Sequence, residues 1–422
     1  MRRQPALIVV GFTAACIAVG IIAVPAMVEG QARVVTPRLA PVEQIMTGQG
    51  GEATADLRDV LAAFGVDAGS ATNLVRTLAR HPEALAGLAP LAGYVRERAM
   101  ATAVDQTLLA LRVAWLSRSE AMWAEQAAEA RVFGFREDDL RRIAEGPDAG
   151  WGAWDTTVLQ AADELYRDSF VSNVTWSRLA QLYNARQIVD VIFTVAEHTM
   201  LGMIANSLGV QPDQRFADRR PTDIPRQIDP TRATPVRLQT ARIDPVPLGE
   251  QTDDERELLD PDGTGQPVIN LFATLVRFPA LYRARGAQSA YIRTRSTLSG
   301  RVREMLILRI GWLCGAEYEW AQHAPIGRRE GLTDDEIRDV AIGPDASGWS
   351  ELDAALLRAA DELHRDDTVS DSTWATLAES SSDQELIDVV VTVAGYRLVS
   401  MVLNSLGVQP ESGTERFPDL PR

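Results

Sequence analysis

Three side chains in the C-terminal half of the chain have the types and spacing needed to move a proton: Glu304, Glu319 and His323. Glu319 and His323 are four residues apart, so on a helix they share one face, where a carboxylate orients an imidazole and favours its protonated form. Glu304 belongs to the preceding helical segment and reaches the pair only if the two segments pack together. Two carboxylates and an imidazole in an apolar setting suit general acid/base catalysis at neutral pH. Two blander readings compete. An i,i+4 Glu and His also occurs as a solvated surface pair, and as a metal site one imidazole with two carboxylates is a thin donor set without a second histidine nearby. Tyr396 and Trp320 are the candidate pocket residues, with packing as the competing role for each.

The elements that must hold these residues are helices. Over 302–313, Leu306, Ile310 and Leu313 form one apolar stripe and Gly315 ends the run. A second helix is predicted over 317–329, followed by Gly331 and a capping sequence in which Thr333 precedes Glu336 by three residues. Further helices are expected over 351–365, 370–379 and 384–406, the last closed by Gly407. The β-branched stretch 387–393 falls inside that long helical register. The predicted fold class is all-α.

The chain also repeats itself. Leu111-Arg112-Val113-Ala114-Trp115-Leu116 recurs as Leu308-Arg309-Ile310-Gly311-Trp312-Leu313 at an offset of 197. Ala161-Ala162-Asp163-Glu164-Leu165 recurs as Ala359-Ala360-Asp361-Glu362-Leu363 at 198, and the heptapeptide starting at Asn206 recurs from Asn404. The expected organisation is an N-terminal segment over 1–32, a first domain over 50–212, a Pro-rich extended linker over 213–263 and a second domain over 264–412. A linker of that length does not fix how the copies pack. In the first copy Thr107, Met122 and Gln126 stand where Glu304, Glu319 and His323 stand in the second. Asp105, Glu120 and Glu125 are off register, and His198, matching Tyr396, reads as isolated, so the first copy is expected to be a packing partner. Trp312, Trp320, Trp349 and Trp374 have counterparts in that copy and read as core.

Composition narrows the function classes. A net charge of -16 with dispersed arginines and no lysine argues against nucleic acid, which demands clustered cations. Arg2 and Arg3 precede an uncharged apolar run over 6–28, the pattern of an export signal or a retained membrane anchor. The bulk of the chain is therefore expected outside the cytoplasm, secreted or membrane-anchored. Cys16 lies in that run, leaving Cys314 as the one cysteine of the folded part, which permits neither an internal disulfide nor a CxxC pair.

The segment Arg301-Val302-Arg303-Glu304-Met305-Leu306-Ile307-Leu308-Arg309, then Glu317 to His323, Gly331-Leu332, the Ala359–Leu363 stretch, Trp374 and Gly395-Tyr396 resembles the carboxymuconolactone decarboxylase and alkylhydroperoxidase D superfamily. The peroxidase branch implies Cys-x-x-Cys-x-x-x-His with a Glu twelve residues before the first Cys. Counted from Glu304, the cysteine positions hold Ala316 and Glu319 and the histidine position holds His323; Cys314 is two residues early and on another helix face. Dithiol peroxide reduction needs an attacking and a resolving thiol, and this chain lacks them. The decarboxylase branch implies cofactor-free acid/base chemistry, here of decarboxylase, isomerase or hydrolase type, on a small organic acid or lactone. Relatives of this kind form symmetric oligomers, so a homo-oligomer is expected. The competing class is a non-catalytic binding or assembly module.

Overall fold

The computed structural model describes residues 34–43, 55–224 and 238–420. The export segment and Cys16 lie outside the described residues. Among the described residues the secondary structure is helical, with no strand. In chain order the α-helices are α1 (Ala55–Ala63), α2 (Asn73–Leu78), α3 (Pro82–Glu97), α4 (Ala103–Leu116), α5 (Glu120–Val132), α6 (Glu137–Glu145), α7 (Ala153–Asp168), α8 (Asn173–Leu179) and α9 (Ala185–Leu208). They continue as α10 (Asp253–Leu259), α11 (Asn270–Leu275), α12 (Pro279–Thr294), α13 (Gly300–Leu313), α14 (Glu317–Arg329), α15 (Asp334–Ile342), α16 (Glu351–Asp366), α17 (Asp371–Ala378) and α18 (Asp383–Leu406). The predicted helix boundaries around the site agree with these to within two residues.

Local chemistry explains the boundaries. Ser299, Thr333, Ser350, Ser370 and Ser382 each accept a hydrogen bond from a first-turn backbone N–H, supplying a partner the helix cannot. Thr333 and Glu336 form the predicted reciprocal capping box. Gly407 ends α18 in the left-handed region at φ 67°, as Gly209 ends α9 at φ 70°.

Two helical sets, α1–α9 and α11–α18, are each tied by the same ion pair between a buried arginine and a partly exposed aspartate. Arg309 of α13 grips Asp361 of α16 through two N–H donors and gives a third nitrogen to the carbonyls of Val340 and Ala341 at the end of α15. Arg112, Asp163, Ile143 and Ala144 repeat the arrangement. The guanidinium of Arg309 lies against Gly343, whose φ of 107° and lack of a Cβ permit the approach.

The described residues form one compact unit. The two longest helices, α9 and α18, pack on each other, as do α3 and α12. Both long helices are long and apolar enough to cross a membrane by length and composition, but 94% of the apolar window of each is buried within the fold. The contacts between sets are reciprocal. Arg38 donates to the carbonyls of Ser207 and Val369 and stacks over Trp374; Arg242 donates to those of Ser405 and Val171 and stacks over Trp176. Trp374 is therefore half-buried at the seam between sets.

The segment expected to be an extended linker is only partly so. Residues 238–247 dock as an arm in which Arg242 N–H bonds Leu406 O, just as Arg38 N–H bonds Leu208 O. A further helix, α10, follows, started by a Thr252–Glu255 capping box. The sequence carries this arm as Thr36-x-Arg38-x-x-Pro41-Val42 and Thr240-x-Arg242-x-x-Pro245-Val246, at an offset of 204 that a search at 197 or 198 passes over.

Candidate active site

Glu304 is on the buried face of α13, one helical turn from Leu308 and two from Leu313's end of the helix. Glu319 and His323 lie on α14, brought close to α13 by Gly311: a Cβ there would stand 3.2 Å from that of Glu319. The helix pair does what the spacing required of it. Glu304 Oε2 is 2.6 Å from His323 Nδ1, and Glu319 Oε1 is 3.1 Å from His323 Nε2. Both ring nitrogens thus face carboxylates.

The imidazole is mostly buried, and both acids are more so, at 2% exposure for Glu304 and 4% for Glu319. Burial pulls the His323 pKa down, but the hydrogen bonds and charges of Glu304 and Glu319 outweigh it and hold the value at about 9. At neutral pH the ring is an imidazolium. This agrees with the charged form that the Glu319–His323 spacing favours, and it makes His323 a proton donor in the resting site. Glu304 is also steadied by Arg303, whose Nε–H donates to Oε1 at 3.2 Å. The second oxygen of Glu319 is buried and has no hydrogen-bond partner among the described residues.

Tyr396 of α18 packs its ring edge-on to His323 with centroids 5.1 Å apart, so it lines the site. Its hydroxyl pKa is pushed up by burial and by the Glu319 charge. Trp320 does not join it. One residue beyond Glu319 is about 100° around the helix, and this turns the indole into an aromatic cluster with Trp312 and Phe417, at 1% exposure. Trp320 is a packing residue.

Sequence reasoning missed Arg285. It comes from α12, is 7% exposed, and lies within electrostatic reach of Tyr396 and Glu319, whose negative charge partly offsets the lowering of its pKa by burial. Among the described residues its guanidinium has no hydrogen-bond or ion-pair partner, an expensive state for a buried cation. Cys314 is buried at the C-terminal end of α13 with its Sγ 3.7 Å from His364 Nδ1, apart from the imidazole of the site. The carboxylates both turn toward the His323 ring, and among the described residues no group of three His, Cys, Asp or Glu side chains is arranged to hold a metal ion.

In the first helical set Thr107, Met122 and Gln126 take the equivalent positions, and all three line a cavity of about 180 Å3. Glu125 and His198 line it too. His198 is not isolated as the sequence suggested: Nδ1 is 2.9 Å from Thr194 O and 3.0 Å from Glu197 Oε2.

The carboxymuconolactone decarboxylase family model matches residues 279–362, which run from the start of α12 into α16 and include Arg285, Glu304, Glu319 and His323. No curated protein matches the chain. A solved structure, the alkylhydroperoxidase AhpD core of an uncharacterized peroxidase-related protein from Ralstonia eutropha JMP134, is 23% identical over 41% of this chain and 95% of that one, with a TM-score of 0.37.

Proposed function

We propose, from the premise that the second helical set carries a carboxymuconolactone decarboxylase-family segment, that the chain performs cofactor-free acid/base chemistry on a small organic acid or lactone. The observation behind this reading is the clamped imidazole: His323 is held by Glu304 and Glu319 through both ring nitrogens and is charged at neutral pH.

The two bonds differ in a useful way. The short Glu304 bond fixes Nδ1–H and the ring orientation, as a carboxylate does for a catalytic imidazole. The longer Glu319 bond at Nε2 is the one a substrate can displace. In this mechanism the bond between an acid substrate's α-carbon and its carboxylate breaks, CO2 leaves, the bonding electrons form an enolate, and Nε2–H gives its proton to the enolate carbon. The N–H electrons stay on the ring, which becomes neutral and regains its proton from solvent through Glu319. Arg285 would hold the carboxylate of an acid substrate, turning an uncompensated buried cation into a paired one. Tyr396 packs its ring edge-on against His323 beside it. The apolar run over 6–28 supports an extracytoplasmic setting, by a cleaved signal or a retained anchor.

The test is turnover of a panel of lactones and unsaturated acids by the full chain, compared with His323→Ala. Activity that depends on His323 supports the reading. A protein that binds panel members without converting any would belong to the binding-module class instead.

A further inference from the structure

The first helical set lacks the acid and histidine of the second, yet it forms a half-open cavity of about 180 Å3 framed by α3, α4, α5 and α9. That is enough for a ligand of roughly seven or eight non-hydrogen atoms, since an engineered cavity of about 150 Å3 holds benzene. Its floor is apolar, with Val75, Val95, Ala110, Met122 and Leu201. Its polar groups are not arranged like those of the second set. The imidazole comes from α9 instead of the α14 counterpart, at the position equivalent to Tyr396.

His198 is fixed through Nδ1 by Thr194 O and Glu197, and Nε2 has no partner among the described residues. Glu197 is 3% exposed, lines the cavity and is bonded only to His198 among the described residues. With His198 protonated, that pair is neutral. Glu125 and Glu129 remain, four residues apart on one face of α5 and both lining the cavity. The cations within reach are Arg96, exposed at the cavity edge with its guanidinium over Gly65, and Arg215. Arg96, Arg215 and Glu129 are all exposed and are screened by water alike, which leaves Glu125, half-buried in the wall, as the least screened charge facing the cavity.

We propose that this cavity is a second small-molecule site and that it takes a small organic ammonium ion, with the apolar body against Val75, Met122 and Leu201 and the ammonium between Glu125 and Glu129. A cation there relieves the repulsion between two like charges at i,i+4 spacing. Glu125 adds a signature. Burial, followed by the charge of Glu129, raises its pKa to about 7, with Arg215, His198 and Arg96 opposing. At neutral pH it is partly protonated, and cation binding displaces that proton. Affinity must therefore fall as pH drops below 7.

The test is calorimetric titration of the full chain with benzylammonium, benzoate and benzyl alcohol, three probes of similar size. Benzylammonium should bind saturably, more tightly than either other probe, with a heat that changes with the ionisation enthalpy of the buffer. Glu125→Gln should weaken it about tenfold or more, the loss of one charged partner. Glu129→Gln, at an exposed position that cannot disturb the core, should weaken it in the same direction, and Glu319→Gln should not. Three results overturn the proposal: no saturable binding of benzylammonium, tighter binding of benzoate, or benzylammonium affinity that ignores both first-set variants.

Discussion

Glu304 Oε2 and His323 Nδ1 are 2.6 Å apart although nineteen residues and a helix boundary separate them. This contact joins α13 to α14, and with Glu319 on the other ring nitrogen it gives the imidazole a fixed orientation and a charge. In Glu304→Gln the ring loses its nearest anion. On an identified substrate, the loss should appear in kcat more than in KM, as expected when a group acts on the chemical step. His323→Ala should lower kcat about 10²–10⁴-fold, the usual worth of a general acid. Steady-state kinetics on both variants checks this.

Stability should carry the same signature. The folded pKa of His323, about 9, lies above its ordinary value of 6.5. A group raised in this way stabilises the fold fully below about 6.5 and loses that contribution as pH rises through 9. Thermal melts of the wild type should therefore fall between neutral pH and about pH 10, and His323→Gln should flatten that part of the profile. A wild-type profile no steeper than that of the variant would count against the charged ring.

Cys314→Ser should leave any turnover intact. The thiol is buried beside His364, and the positions a dithiol mechanism would use hold Ala316 and Glu319. A large loss of kcat with an unchanged melting temperature would assign the thiol a chemical role it does not have in this account.

The seam between the helical sets contains a buried ion pair that should be costly to break. Asp367 is fully buried, accepts from Arg397 Nη1 at 2.5 Å and also bonds Tyr166 of the first set. Asp367→Ala would strand the Arg397 guanidinium, itself 1% exposed, and should destabilise the fold by about 3–5 kcal/mol. Denaturant midpoints measure this, with both sets unfolding in one transition because the pair bridges them.

Much of this was legible in the sequence because it rests on local periodicity. The helices around the site, the Thr333–Glu336 box and the Glu319–His323 pair follow from spacings of three, four and seven residues, whereas the approach of Glu304 to that pair was implied by the family resemblance. What escaped depends on partners distant in the chain. Arg285 is one arginine among several on α12, and only the fold shows that it is buried, without a partner among the described residues, while Arg293 faces outward. The first-set cavity was hidden by the register itself. Glu125 was dismissed because it does not align with Glu319 or His323, but His198 approaches from α9, so alignment was the wrong criterion. For Trp320 the sequence left both a pocket and a core role open, and the fold favours the core one, because the helix turns its side chain away from the face that Glu319 occupies.

The most direct measurement is an NMR pH titration of the His323 imidazole, which needs no substrate. The chain has four histidines, so comparison with His323→Gln assigns the resonance. The account predicts a midpoint near 9 that drops toward the ordinary value of 6.5 in Glu304→Gln and in Glu319→Gln. A wild-type midpoint at or below 6.5, unmoved by either variant, would contradict the carboxylate-clamped proton donor on which the proposed chemistry rests.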